Sequence, residues 1–124
     1  MLAIGLDLVE LSRVERSLGR WGGRLVDKLM DEDESARLPG VGHDRVRAVA
    51  AAIALKEAAS KAIGTGWSRG VHWRQVVVAS VEPPGVRLTG EAVRVAAARG
   101  SSGRTQAFLE IRGDLLIAEV WLLP

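Results

Sequence analysis

From Asp44 to Ile63 the chain reads DRVRAVAAAIALKEAASKAI, with neither glycine nor proline until Gly64. Good helix formers dominate this stretch, so it predicts one long helix, closed by Gly64 at the left-handed C′ position. Its core stripe is Val46, Val49, Ala50 and Ile53. Near the end come Lys56-Glu57-Ala58-Ala59-Ser60-Lys61, in which Glu57 and Lys61 lie four apart and share a face. The alanines around them keep the rod slim, so another surface can approach it closely.

The flanking segments supply both strands and helices. Residues 3–9, AIGLDLV, alternate, with Ile4, Leu6 and Leu8 on one face and Gly5, Asp7 and Val9 on the other, the pattern of a half-buried strand. The aliphatic face is expected to pack inward and Asp7 to point away from it, with Gly5 leaving room for something to approach. Ser12 is placed to cap a helix carrying Leu11, Val14, Leu18 and Trp21, which Gly22-Gly23 interrupts. A short apolar group around Leu25–Met30 follows, and Asp31 with Glu34 forms a capping-box pattern. After Gly64-Thr65-Gly66 the period changes. Trp73–Val81 reads as a strand, Pro83-Pro84-Gly85 as a turn and Val86–Leu88 as a short strand. Glu91–Arg99 reads as a helix, and Gln106–Ile111 with Leu115–Leu122 as two strands joined by an Arg112-Gly113-Asp114 turn. The order β-α-α-α-β-β-α-β-β, without linker or repeat, predicts a single α+β domain over residues 1–124.

Composition narrows the chemistry. There is no cysteine, so disulfides, thiolate metal sites and cysteine nucleophiles are excluded. No apolar run approaches the roughly 20 residues that cross a bilayer. The opening MLAIGLDLVEL carries Asp7 and Glu10 where a secretory signal would be apolar. A cytoplasmic protein without membrane contact is expected. The formal charge of +2 does not call for nucleic acid. Of 17 basic residues only Lys28, Lys56 and Lys61 are lysine, so a pair of them within one short segment is notable against an arginine background that a GC-rich genome also produces.

The two histidines, His43 and His72, fall in predicted loops, leaving a serine triad or a zinc site short of parts. Gly64-Thr65-Gly66 lacks the lysine of a phosphate-binding P-loop and reads as a helix cap. Carboxylates and lysines remain. Mg²⁺ takes oxygen ligands and is commonly held by one or two carboxylates, with water and substrate phosphates completing its shell. Asp7 on a strand and Glu57 on a helix suit that role where a fold unites them, with Lys61 facing the same phosphates. Spacing alone is better met by a surface Glu57–Lys61 pair and a solvated Asp7.

Two motifs favour the first reading. Gly5-Leu6-Asp7-Leu8-Val9-Glu10-Leu11 resembles the GxDxxE start of the holo-acyl-carrier-protein synthases, the short branch of the 4′-phosphopantetheinyl transferase superfamily. Lys56 to Gly66, KEAASKAIGTG, resembles that family's KEAxxKAxGTG element, at a similar separation. Trp73-Arg74-Gln75-Val76-Val77-Val78 and Val86-Arg87-Leu88-Thr89-Gly90-Glu91-Ala92 resemble later family segments, so the likeness spans nearly the whole chain. The resemblance implies the phosphopantetheinyl transferase fold, a small antiparallel sheet packed with helices including one long helix. It implies Mg²⁺-dependent transfer of the phosphopantetheine arm of coenzyme A to a serine of an acyl carrier protein, releasing adenosine 3′,5′-bisphosphate, in fatty acid or polyketide biosynthesis.

By the same resemblance Asp7 and Glu57 would hold Mg²⁺, and Asp7, Glu57 and Lys61 would be catalytic. Lys56, Lys61 and the Gly64, Thr65, Gly66 turn would lie along coenzyme A. Arginines Arg13, Arg16, Arg20 and Arg24 would meet the acidic carrier, and the assembly would be a homotrimer with sites between protomers. The chain departs from the pattern at two places. Ala52 stands where the family commonly has an arginine before KEA, and Phe108–Asp114 lacks the usual SxSH element, so that Arg112 is the candidate to supply substitute charge. These departures leave open a relative with an altered reaction in polyketide or secondary metabolism, or a non-catalytic carrier-binding subunit.

Overall fold

The long helix, α4, runs Gly42–Ile63 in a computed structural model that describes residues 1–124. Gly64 ends it at φ 87°, the left-handed conformation that glycine adopts without strain. The predicted stripe is too narrow. Val46 and Ile53 are only half-buried, whereas Ala51, Ala52, Ala54, Leu55, Ala58 and Ala59 are buried along with Val49 and Ala50. Burial on most sides makes α4 the central element rather than a surface helix.

Two antiparallel sheets and four further helices surround it. Strand β1 (Ala3–Glu10) leads into α1 (Leu11–Trp21), α2 (Gly23–Leu29) and the short α3 (Glu32–Ala36), which precede α4. A 3-10 turn at Trp73–Gln75 opens β2 (Val76–Val81), followed by β3 (Pro84–Leu88), α5 (Gly90–Ala98), β4 (Thr105–Arg112) and β5 (Leu115–Leu122). One sheet has the order β1-β5-β4, and the other pairs β2 with β3. The architecture is the expected α+β one, with α3 as an additional turn of helix and Trp73–Gln75 outside the strand. The β2–β3 hairpin turns at Glu82-Pro83, and Pro84 already opens β3, a first-residue position that costs no ladder hydrogen bond.

The faces of β1 are the reverse of those expected. Gly5 is buried and Asp7 and Val9 half-buried on the side toward α4, while Leu6 and Leu8 are 55% and 62% exposed. Gly5 explains the choice. A Cβ there would sit 1.7 Å from the Ala58 carbonyl oxygen and 2.9 Å from the Ala62 nitrogen, so β1 lies directly on the helix backbone. Glycine on the strand and alanine on the helix bring the two closer than any leucine face could come. Opposite Gly5, Asp7 and Val9, β5 presents Val120, Ala118 and Leu116, all buried on the same side.

Ser12 does not cap α1. The helix begins at Leu11, and the cap comes from the far end of the chain. Asp114, in the β4–β5 turn, accepts the Ser12 backbone N–H at 2.9 Å and the Ser12 hydroxyl. The expected Asp31–Glu34 capping box is present. Asp31 Oδ1 accepts from the Glu34 N–H at 2.8 Å, and Glu34 Oε1 accepts from the Asp31 N–H at 3.2 Å.

Candidate functional site

Where β1 crosses α4, Lys61 donates to Asp7 Oδ1 at 3.0 Å and to the Leu6 carbonyl at 3.0 Å. The Lys61 side chain is 51% exposed and that of Asp7 17%, so the pair lies at an open surface. Glu57, one turn earlier on the same face, is half-buried and makes no ion pair with Lys61. Its Oε1 instead accepts the indole N–H of Trp67 at 3.2 Å. The simple i,i+4 surface pair is therefore not what forms. Asp7 draws the ammonium off Glu57, and a tryptophan takes its place beside the carboxylate.

The other lysine of the motif has a different fate. Lys56 is fully buried, and its ammonium donates to Glu34 Oε1 at 3.0 Å, to the Trp73 carbonyl at 3.0 Å and to the Val76 carbonyl at 2.6 Å. A lysine has three N–H donors, and all three are satisfied within the chain. The expectation that Lys56 lies along coenzyme A is overturned, since the group is neither exposed nor free to donate. Burial pulls its pKa below the ordinary lysine value, with the Glu34 carboxylate opposing that fall. Glu34 was absent from the sequence-based candidates. It is 4% exposed, and its Oε2 also accepts the Val78 N–H at 2.9 Å, so it joins α3, α4 and β2.

The Gly64-Thr65-Gly66 turn is less available than expected. The Gly64 N–H bonds back to the Ser60 and Lys61 carbonyls, and the Gly66 N–H to Ser60 at 3.1 Å. Both amides close the helix, leaving that of Thr65 without an intramolecular partner. Arg99, unremarked in the sequence, lies over this turn and donates to the Ala62 carbonyl at 3.1 Å. Arg112 sits at the β4–β5 turn, exposed, and its partner is Glu110 at 2.8 Å. The structure does not bring it into contact with Asp7, Glu57 or Lys61.

A cleft of about 830 Å³ opens beside the middle of α4. Ala52, Glu110 and Ile111 all line it, so the two departures noted in the sequence meet in one place although far apart in the chain. Arg37 and Arg47 also line it. The Arg37 guanidinium is engaged by the Val78 and Ala79 carbonyls, whereas Arg47 makes no ion pair.

Residues 3–116 match the family model of the 4′-phosphopantetheinyl transferase superfamily. The chain belongs to that superfamily. Its relatives include a holo-[acyl-carrier-protein] synthase of Rhizobium rhizogenes, 34% identical over 99% of this chain and 93% of the relative. Another, from Desulfovibrio desulfuricans, is 40% identical over 77% of each chain. The fold is that of solved holo-[acyl-carrier-protein] synthases. The Neisseria meningitidis structure superposes with a TM-score of 0.83 at 25% identity, covering 100% of this chain and 99% of its own. A Bacillus anthracis synthase, solved in complex with coenzyme A (3′,5′-ADP), gives 0.76 at 25% identity over 98% and 95%.

Proposed function

We propose that this protein transfers the 4′-phosphopantetheine arm of coenzyme A to a serine hydroxyl of an acyl carrier protein, with Mg²⁺, releasing adenosine 3′,5′-bisphosphate. The observation that carries this reading is the Asp7–Lys61 contact at 3.0 Å, with Glu57 one helical turn away on the same face. Family membership and the coenzyme A-bound relative support it.

The donor set suits Mg²⁺ held jointly with a substrate. Nowhere do three acidic or imidazole side chains converge, so the chain has no all-protein cage. Asp7 and Glu57 offer two hard oxygen donors, and Mg²⁺ commonly takes one or two carboxylates, keeping water and phosphate oxygens in its remaining positions. When bound there, the ion would neutralise charge on the diphosphate. Phosphoryl transfer rests chiefly on positioning and electrostatics, which this chain supplies with few residues. Glu57, directly or through water, takes the proton of the attacking serine. Lys61, half in solvent and steered by Asp7, steadies or protonates the departing phosphate. The free Thr65 N–H, four residues past Lys61, is where the coenzyme A diphosphate would extend, whereas the cleft beside Ala52 touches none of Asp7, Glu57 and Lys61.

The exposed arginines Arg13, Arg16, Arg20 and Arg24, on or next to α1, suit an acidic carrier protein. Ile4, Leu6, Leu8 and Phe108, each at least 40% exposed, form an apolar sheet face in the isolated chain. An exposed patch of this kind marks an interaction site, in keeping with a homotrimer whose sites lie between protomers. No helix is long and apolar enough to cross a membrane, in keeping with a cytoplasmic enzyme.

A second reading, an altered reaction on the same scaffold, is favoured by the cleft, where Ala52 and Glu110-Ile111 stand in place of the family's arginine and part of its SxSH element. Incubation with coenzyme A, Mg²⁺ and apo carrier protein, followed by intact mass, decides between them. Gain of one phosphopantetheine arm supports the transferase. Tight coenzyme A binding without gain supports the altered reaction, and no nucleotide binding points to a non-catalytic subunit.

A further inference from the structure

Trp67 makes a contact that neither the motifs nor the proposed mechanism uses. Its indole nitrogen donates to Glu57 Oε1 at 3.2 Å, and no other group in the chain bonds that carboxylate. The placement is built rather than incidental. Positive φ at Gly64 and Gly66, with the Gly66 N–H returned to Ser60, turns the chain back along the helix it has just left. Ser68 Oγ then donates to the Thr65 carbonyl at 2.6 Å and pins the turn. The Trp67 ring is stacked on Trp73, with centroids 4.1 Å apart and an interplanar angle of 23°. Trp73 in turn is fixed through its carbonyl by the buried Lys56 ammonium. The indole has one donor and no acceptor, so its orientation leaves no choice over which group it serves.

We infer that Trp67 is a positioning residue for Glu57. Its N–H holds Oε1 and fixes the carboxylate rotamer, leaving Oε2 as the oxygen free to bind a cation or take a proton. Glutamate carries three rotatable bonds, and in a helix its ordinary restraint here would be Lys61, which Asp7 has removed. Without the indole, the carboxylate would sample orientations in which neither oxygen faces the ligand. Outer partners that orient metal-binding side chains in this way commonly change metal affinity or activity about 10–100-fold when removed. The inference rests on the transferase reading for what Glu57 does, but not for the contact itself.

Two substitutions separate orientation from packing. Trp67→Phe keeps an aromatic ring against Trp73 and removes the N–H. Trp67→His loses stacking area but carries Nε2 at the ring position of the indole nitrogen, and Mg²⁺, an oxygen-seeking ion, has little use for the imidazole itself. Mg²⁺ is titrated by calorimetry into wild type and both variants, with and without coenzyme A. Circular dichroism checks that each is folded. The expected result is a Kd for Mg²⁺ raised about 10-fold in Trp67→Phe and largely restored in Trp67→His. In turnover assays Trp67→Phe should lower kcat while the KM for coenzyme A stays within about twofold. Wild-type Mg²⁺ affinity in Trp67→Phe, a Trp67→His variant as weak as Trp67→Phe, or a wild type that binds no Mg²⁺ would each overturn the inference. A wild type that binds Mg²⁺ but modifies no carrier protein defeats the transferase reading alone, and the Mg²⁺ affinities still decide the role of Trp67.

Discussion

Lys56 and Lys61 lie five residues apart on one helix, and each holds a carboxylate at 2.9 to 3.0 Å. Their surroundings differ completely. The Lys56 side chain is 0% exposed and bonded to three acceptors, whereas that of Lys61 is half in solvent beside Asp7. A buried charge whose partner is removed costs several kcal/mol, while an exposed ion pair contributes little to stability. The same pairing is thus structural at one site and available for chemistry at the other. Accessibility separates the two environments, and the KEAASK motif contains both.

Lys56→Met should break this comparison most severely. It leaves Glu34 buried without its counter-ion, and loss of about 3–5 kcal/mol is expected, read as a fall in melting temperature of more than about 10 °C. Replacing Glu34 as well should not restore stability, because the N–H groups of Asp31 and Val78 would then lose their acceptor. Gly5→Ala tests the other requirement, close approach of β1 to α4. Its Cβ meets helix backbone, so a loss of about 3 kcal/mol should accompany displacement of Asp7 from Lys61. Chemical denaturation measures the first, and carrier modification the second.

Lys61→Met should do the reverse of Lys56→Met. Stability should change by less than about 1 kcal/mol, while modification of the carrier slows by about 100-fold. The smallest effect is expected at Asp114→Ala. Removing the acceptor for the Ser12 N–H should cost about 1 kcal/mol by thermal melting and leave turnover nearly unchanged, since Asp114 serves only the start of α1.

Much of this was legible in the sequence. A glycine- and proline-free run ending at Gly64 could only be a long helix, and the Asp31–Glu34 box and the final hairpin depend on neighbouring residues. The packed face of β1 was misread because alternation shows that two faces differ, not which one is buried. Here Gly5 against Ala58 outweighs the bulkier Ile4, Leu6 and Leu8, whose face is left exposed in the isolated chain. The burial of Lys56 depends on Glu34, 22 residues away, and on the carbonyls of Trp73, in the 3-10 turn, and Val76, at the start of β2, none of which local spacing can indicate. Asp7, Glu57 and Lys61 are singled out by the family motif. Their spacing alone favours a surface pair, and the structure replaces that pair with Asp7–Lys61 and Trp67–Glu57. The glycines at 64 and 66 were the available signal for Trp67, since two left-handed residues so close together reverse the chain.

The central claim is that the carboxylate held by Lys61, and not the one held by Lys56, works on the substrate. It is tested most directly by the initial rate of apo carrier protein modification, followed by intact mass, for wild type and Asp7→Ala at saturating Mg²⁺ and coenzyme A. The expected result is a rate at least about 100-fold lower in Asp7→Ala, with the melting temperature little changed. An Asp7→Ala protein that loads the carrier at the wild-type rate would contradict the account.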